Sequence, residues 1–183
     1  MSMVHDFVAL SLVDDYVNVL YLMSATLLVP NTEETLNAMR DFVTAFQWLY
    51  AVPLPPPGNK VDCFEHFLAF HENNAALKAI TPFDPDEILQ KYIEHAYPKR
   101  LWGPRIWALL HELASREDVV ALKRALSSLC VLLPCIHCAT HLKEWLDEND
   151  VNARDLNDNT CASFVVSLHN HVNRRLGKPV LLF

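Results

Sequence analysis

Three glycines in 183 residues are too few for a turn-rich all-β protein, whose tight turns and bulges draw on glycine. Long apolar runs are missing as well. Residues 1 to 30 are apolar in patches, but Asp14, Asp15 and Asn18 interrupt them, and the longest clean run falls short of the roughly 18 residues that a spanning helix needs. No cationic start precedes a short apolar core, so neither signal peptide nor membrane anchor is expected. Positive charge is also scarce: 15 Lys and Arg against 22 Asp and Glu give a net charge of -7. Nucleic acid is therefore not expected as a partner, although a local anion site remains open. What the chain does have is apolar bulk, with 51% hydrophobic and 20% charged residues. That suits one domain with a real core, or a small domain carrying an extension of similar size.

The helical periodicity starts early. Residues 5 to 29 carry apolar positions at helical spacing, and "NTEE" at 31 to 34 offers Asn31 as an N-cap with Glu34 as its capping-box partner. This second helix is expected to run to about residue 51, where the prolines of "VPLPPPGN", 52 to 59, form a stiff connector. A third helix is expected over 61 to 80, and "DPDE" at 84 to 87 announces a fourth, closed by Pro98. Beyond it, Trp107, Leu110, His111 and Ala114 share one helical face, and the next helix leads straight into "PCIHC" at 134 to 138. Pro134 is expected to open the following helix. Asp158 or Asn159 should cap the last one, which Gly177 ends and Pro179 forbids to continue. The expected fold is all α, an N-terminal helical region over 1 to 95 ahead of a helical bundle over 96 to 183.

Five cysteines stand at 63, 130, 135, 138 and 161. An odd number at irregular spacing, with no secretion signal, argues against an extracellular disulfide framework. The pair Cys135 and Cys138 asks for its own explanation. At the first turn of a helix Cys135 meets unpaired amide protons and the positive end of the macrodipole, which stabilise a thiolate. Cys138 lies one turn on, on the same face, which is the geometry of a dithiol redox couple. Three other readings compete. Zinc could be held by Cys135, Cys138 and His141 with a fourth ligand from Cys130, His137 or His169, yet a second spaced pair is lacking. A thioredoxin-type domain needs a parallel sheet that the sequence does not supply. Two buried structural cysteines are the plain alternative.

Two further stretches bear on the choice. "WGPRIWALLH" (102 to 111) and "LHNHVNRRLGK" (168 to 178) flank "PCIHC" in order, and together the three resemble the signatures of the Erv/ALR family of FAD-linked sulfhydryl oxidases over residues 102 to 179. The resemblance implies a four-helix bundle (about 102 to 116, 117 to 133, 134 to 148 and 159 to 176) that holds FAD at one end, with a short fifth helix. It implies Cys135 and Cys138 as the catalytic pair, and Gly103, Arg105, Trp107, His111, His169, Asn170, Val172, Asn173, Arg174 and Lys178 as cofactor contacts. Electrons would pass from a dithiol protein substrate through the cysteine pair to FAD and on to molecular oxygen, giving hydrogen peroxide.

The residue types suit such a ligand. Trp107 and His111 are one turn apart, and His169, Asn170 and Asn173 repeat the spacing, so two stripes could face each other across a slot for flat rings. Among Arg105, Arg174, Arg175 and Lys178, at least one should meet a pyrophosphate. His137, His141 and His171 have no role by resemblance, and Cys63, Cys130 and Cys161 read as single cysteines rather than an internal shuttle. Cellular members usually carry an aromatic residue where Leu133 stands, a cysteine where Val166 stands, and an Arg-Trp pair beyond the last helix. Members encoded by large DNA viruses resemble this trimmed form, so a viral origin and the host cytoplasm or virion are expected, with the mitochondrial intermembrane space as the alternative. The apolar helices of 1 to 95 could cover the bundle, grip a partner or build an interface, and a homodimer is the expected assembly.

Overall fold

The computed structural model describes residues 15, 16, 18–20, 23, 32–46, 99–149 and 158–182. The helices expected over 61 to 80 and 84 to 97, and the proline connector, lie outside them. Among the described residues there is helix and no strand, as the scarcity of glycine implied. Five helices have defined bounds: α1 Glu33–Ala45, α2 Lys99–Ser115, α3 Val119–Leu132, α4 Ile136–Glu148 and α5 Asp158–Arg175. Residues 15, 16, 18–20 and 23 are helical too. No described helix is long and apolar enough to cross a membrane.

Local chemistry sets the ends. Thr32, not Asn31, caps α1, its Oγ1 accepting from the Thr35 N–H at 3.3 Å; Asn31 lies outside the described residues. Asp118 caps α3 by accepting from the Ala121 N–H at 2.9 Å. Pro134 does not open α4. It precedes the cap, which is Cys135 in extended backbone (φ -161°, ψ 101°). Asp158 and Asn159 both fall inside α5 rather than capping it. At the other end Gly177, with φ +65°, takes the left-handed conformation that closes a helix. Its N–H donates to Arg174 C=O at 3.2 Å, and the Lys178 N–H donates to Asn173 C=O at 2.8 Å, the paired bonds of a Schellman motif.

Helix α3 is the hub. Its buried side chains, Ala121, Leu122, Ala125, Leu126, Ser128, Leu129 and Leu132, cover a wide arc, and it packs against each of the other four helices. A helix apolar over so much of its surface must be enclosed on several sides. Helices α2, α4 and α5 complete a four-helix bundle with it, and α1 packs on α3 from outside. The core is continuous across that junction: Tyr16, Phe42 and Phe46 belong to the same buried cluster as Leu113, Leu122 and Val165.

Candidate functional site

The loop from α3 to α4 is short because Leu133 and Pro134 turn the chain directly onto the Cys135 cap. Cys135 and Cys138 are joined by a disulfide, with Cα atoms 5.2 Å apart, inside the usual range for such a bridge. Cys135 Sγ accepts from the Cys138 N–H at 3.3 Å, so the sulfur itself takes the place of a capping oxygen. The helix N-terminus therefore stabilises negative charge on that sulfur whenever the bridge opens. With both sulfurs committed to each other, the zinc reading loses its two main ligands. Among the described residues no three His, Cys, Asp or Glu side chains are placed to hold a metal ion.

Beside the bridge lies a cavity of about 580 Å³, on the scale of small-molecule and cofactor sites, roughly 300–1,000 Å³. Cys138 lines it and Cys135 does not. The walls come from the first three turns of α2, from Leu129 and Leu133 at the end of α3, from one face of α4 and from the second half of α5. Pro104, in the interior of α2, withholds the N–H that would have bonded Arg100 C=O, and both residues line the cavity.

Of the residues predicted from sequence, Gly103, Trp107, His169, Val172, Asn173 and Lys178 line this cavity together with Cys138. Trp107 and His169 do not face each other across a slot. They stack directly, with centroids 3.9 Å apart and planes 3° from parallel, so a flat ligand must lie against the outside of the pair. His111 stands behind them, its Nε2 2.9 Å from His169 Nδ1. Burial lowers the pKa of His111. His169 is lowered to about 4, first by burial, then by the neighbouring His111 and Lys178. Both rings are accordingly neutral at pH 7, one donating its N–H to the other.

The remaining predicted contacts sit elsewhere. Arg105 is on α2 but pairs with Asp15 at 2.8 Å, and neither it nor Arg174 lines the cavity. Asn170 is buried and bonds the backbone of Leu181. Among the described residues, the cations that reach the wall are Lys99, Arg100, Arg175 and Lys178, and no carboxylate lines it. Lys99 and Arg100 escaped the sequence reading because α2 was expected to start near residue 102. Their spacing to Gly103, Pro104 and Trp107 puts them on the same face, a signal that was available. His141 and His171 also line the cavity; His141 lies 3.1 Å from Glu144, and His171 packs near Trp145. His137 is exposed.

An apolar pocket with a stacked aromatic pair, a cationic edge and a disulfide sulfur in its wall fits a flat heteroaromatic ligand that carries an anionic group and exchanges electrons with thiols.

Comparison with known proteins points the same way. A family model described as the Erv1 / Alr family matches residues 104–182. A protein of Invertebrate iridescent virus 3 is 30% identical over 89 residues, 45% of this chain and 60% of that protein. The FAD-linked sulfhydryl oxidase ERV1 of Oryza sativa subsp. japonica is 33% identical over 102 residues, 51% of this chain and 52% of that protein. The FAD-linked sulfhydryl oxidase of African swine fever virus (isolate Pig/Kenya/KEN-50/1950) is 30% identical over 88 residues, 44% of this chain and 71% of that protein. The chain thus spans between half and two thirds of the length of the first two of these relatives. No solved structure matches it.

Proposed function

The chain belongs to the Erv1/Alr family, and on that premise we propose that it is an FAD-linked thiol oxidase that forms disulfides in a dithiol protein substrate. The observation that carries this reading is the Cys135–Cys138 bridge with Cys138 in the wall of the cavity. The cavity residues fit the cofactor. Trp107 and His169 offer a flat face to a ring system, and Lys99, Arg100, Arg175 and Lys178 offer charge to a pyrophosphate. Bound there, FAD would take two electrons from the reduced pair, restoring the disulfide, and deliver them to O2 as hydrogen peroxide.

The chain's own residues set the order of events. A substrate thiolate attacks Cys135 Sγ, the sulfur outside the cavity, forming a mixed disulfide and releasing Cys138 as a thiolate toward the cavity. A second substrate thiolate attacks the substrate sulfur of that mixed disulfide. The substrate leaves with its own disulfide, two electrons poorer, and Cys135 is released as a thiolate at the helix N-terminus, where the Cys138 N–H steadies it. In this reading residues 96–183 carry the chemistry, and 1–95 are an extension whose helix α1 covers α3. A homodimer belongs to the same reading; light scattering should then return twice the 20.9 kDa of one chain.

Purified protein should be yellow and should consume oxygen when given a dithiol. Cys135→Ala and Cys138→Ala should each abolish turnover while most of the colour stays. A colourless, folded, full-length preparation that remains inert after added FAD would end the proposal.

A further inference from the structure

Beyond Gly177 the chain runs without helix to residue 182, alongside α5. Two buried asparagines hold it there. Asn170 behaves as a peptide group would in a strand pair: its Oδ1 accepts from the Leu181 N–H at 2.6 Å, and its Nδ2 donates to Leu181 C=O at 3.0 Å. One turn later Asn173 Nδ2 donates to Pro179 C=O at 3.0 Å. Apolar contact contributes little to this attachment, since Leu182 is 91% exposed and Leu181 37%. The three hydrogen bonds supply it, and because both amides are buried, losing their partners would leave polar groups away from water.

Lys178 sits between these anchors and the helix end. On one side its N–H is bonded to Asn173 C=O at 2.8 Å. On the other, Pro179 and Leu181 are tied down. Its side chain lines the cavity and acts on the charge of His169, which places it beside the aromatic pair. Resting on the reading of this cavity as the FAD site, we propose that Asn170, with Asn173 as a second anchor, is a positioning residue. It clamps the C-terminal segment and so holds the Lys178 ammonium at the cavity edge for the cofactor's phosphates.

The test is FAD titration of the full-length protein by fluorescence, with amide hydrogen exchange of residues 178–182 followed in parallel. Asn170→Ala should speed exchange through the segment and weaken FAD binding on the order of tenfold, the scale of one charge-assisted contact. Because Asn170 is buried, Leu181→Pro is the companion variant: it deletes the donated N–H at a part-exposed position and leaves the helix untouched. Lys178→Met should weaken FAD binding at least as much. The double variant Lys178→Met with Leu181→Pro should bind no worse than Lys178→Met alone, since both act through one ammonium. Losses that simply add, a freed segment with wild-type FAD affinity, or an unprotected segment in the wild type would each overturn the clamp. A wild type with a protected segment that binds no FAD would overturn the reading of the cavity instead.

Discussion

His169 is the most loaded single position in the molecule. It stacks on Trp107, bonds His111 and feels Lys178. Burial first, then His111 and Lys178, disfavour its imidazolium, so its folded pKa of about 4 lies below the ordinary 6.5. The unfolded chain therefore binds more protons between these two values, and linkage requires stability to fall as pH drops. His111 shifts in the same direction. The thermal midpoint should hold above about pH 6.5 and decline as pH falls toward 4, and His169→Gln should flatten that decline relative to wild type. An equal pH slope in both proteins would show that the pair is not the cause. Cys130 makes the opposite case. Its thiol donates to Leu126 C=O at 3.4 Å, and burial pushes its pKa up to about 11. It is thus a protonated, poor nucleophile at neutral pH. Cys130→Ala should keep dithiol turnover near wild type in the oxygen-consumption assay, as expected of a single cysteine; loss of turnover would instead make it an internal shuttle.

At the scale of the element, ends matter more than middles. Nothing lies within 4 Å of a Cβ placed on Gly177, yet its φ is +65°, so Gly177→Ala meets backbone strain and no clash. It should cost about 1 kcal/mol in denaturant unfolding, and Gly177→Asn should cost less. The helices of the bundle were legible to within a few residues because punctuation stands in the chain itself. Gly177 and Pro179 stop α5, and the cysteine pair starts α4. Of the cavity lining, helical spacing pointed to Trp107, His169 and Asn173, and the family resemblance to Gly103 and Val172. What could not be read were attachments made by tertiary placement. Asn170 and Asn173 find backbone atoms 11 and 6 residues on, for which no side-chain pattern exists. Arg105 finds Asp15 across 90 positions. The direct stacking of Trp107 on His169 depends on how closely α2 and α5 approach, a distance set by core side chains between them rather than by the two stripes.

The whole molecule turns on α3, enclosed by the bundle on one side and by α1 on the other. The aromatic cluster of Tyr16, Phe42 and Phe46 sits on the α1 side, with Phe42 and Phe46 centroids 4.8 Å apart and Tyr16 stacked on Phe42 at 6.1 Å. Near it Asp15 holds Arg105 on α2, two residues from Gly103 and Trp107 in the cavity wall. The ion pair is part-exposed and by itself contributes on the order of 1 kcal/mol or less. The cluster weighs more: Phe42 is fully buried, and truncating such a side chain typically costs about 3–5 kcal/mol. Phe42→Ala should therefore lower the thermal midpoint on the order of 10 °C for a chain of this size, although the residue touches no part of the proposed cofactor site. Because one core runs from Phe42 to Val165, helix loss by circular dichroism and flavin release by fluorescence should shift together and stay coincident. Should the variant instead show an early helical transition while flavin is retained to the wild-type temperature, the extension and the bundle would be separate folding units, and the covering of α3 would have no bearing on the site.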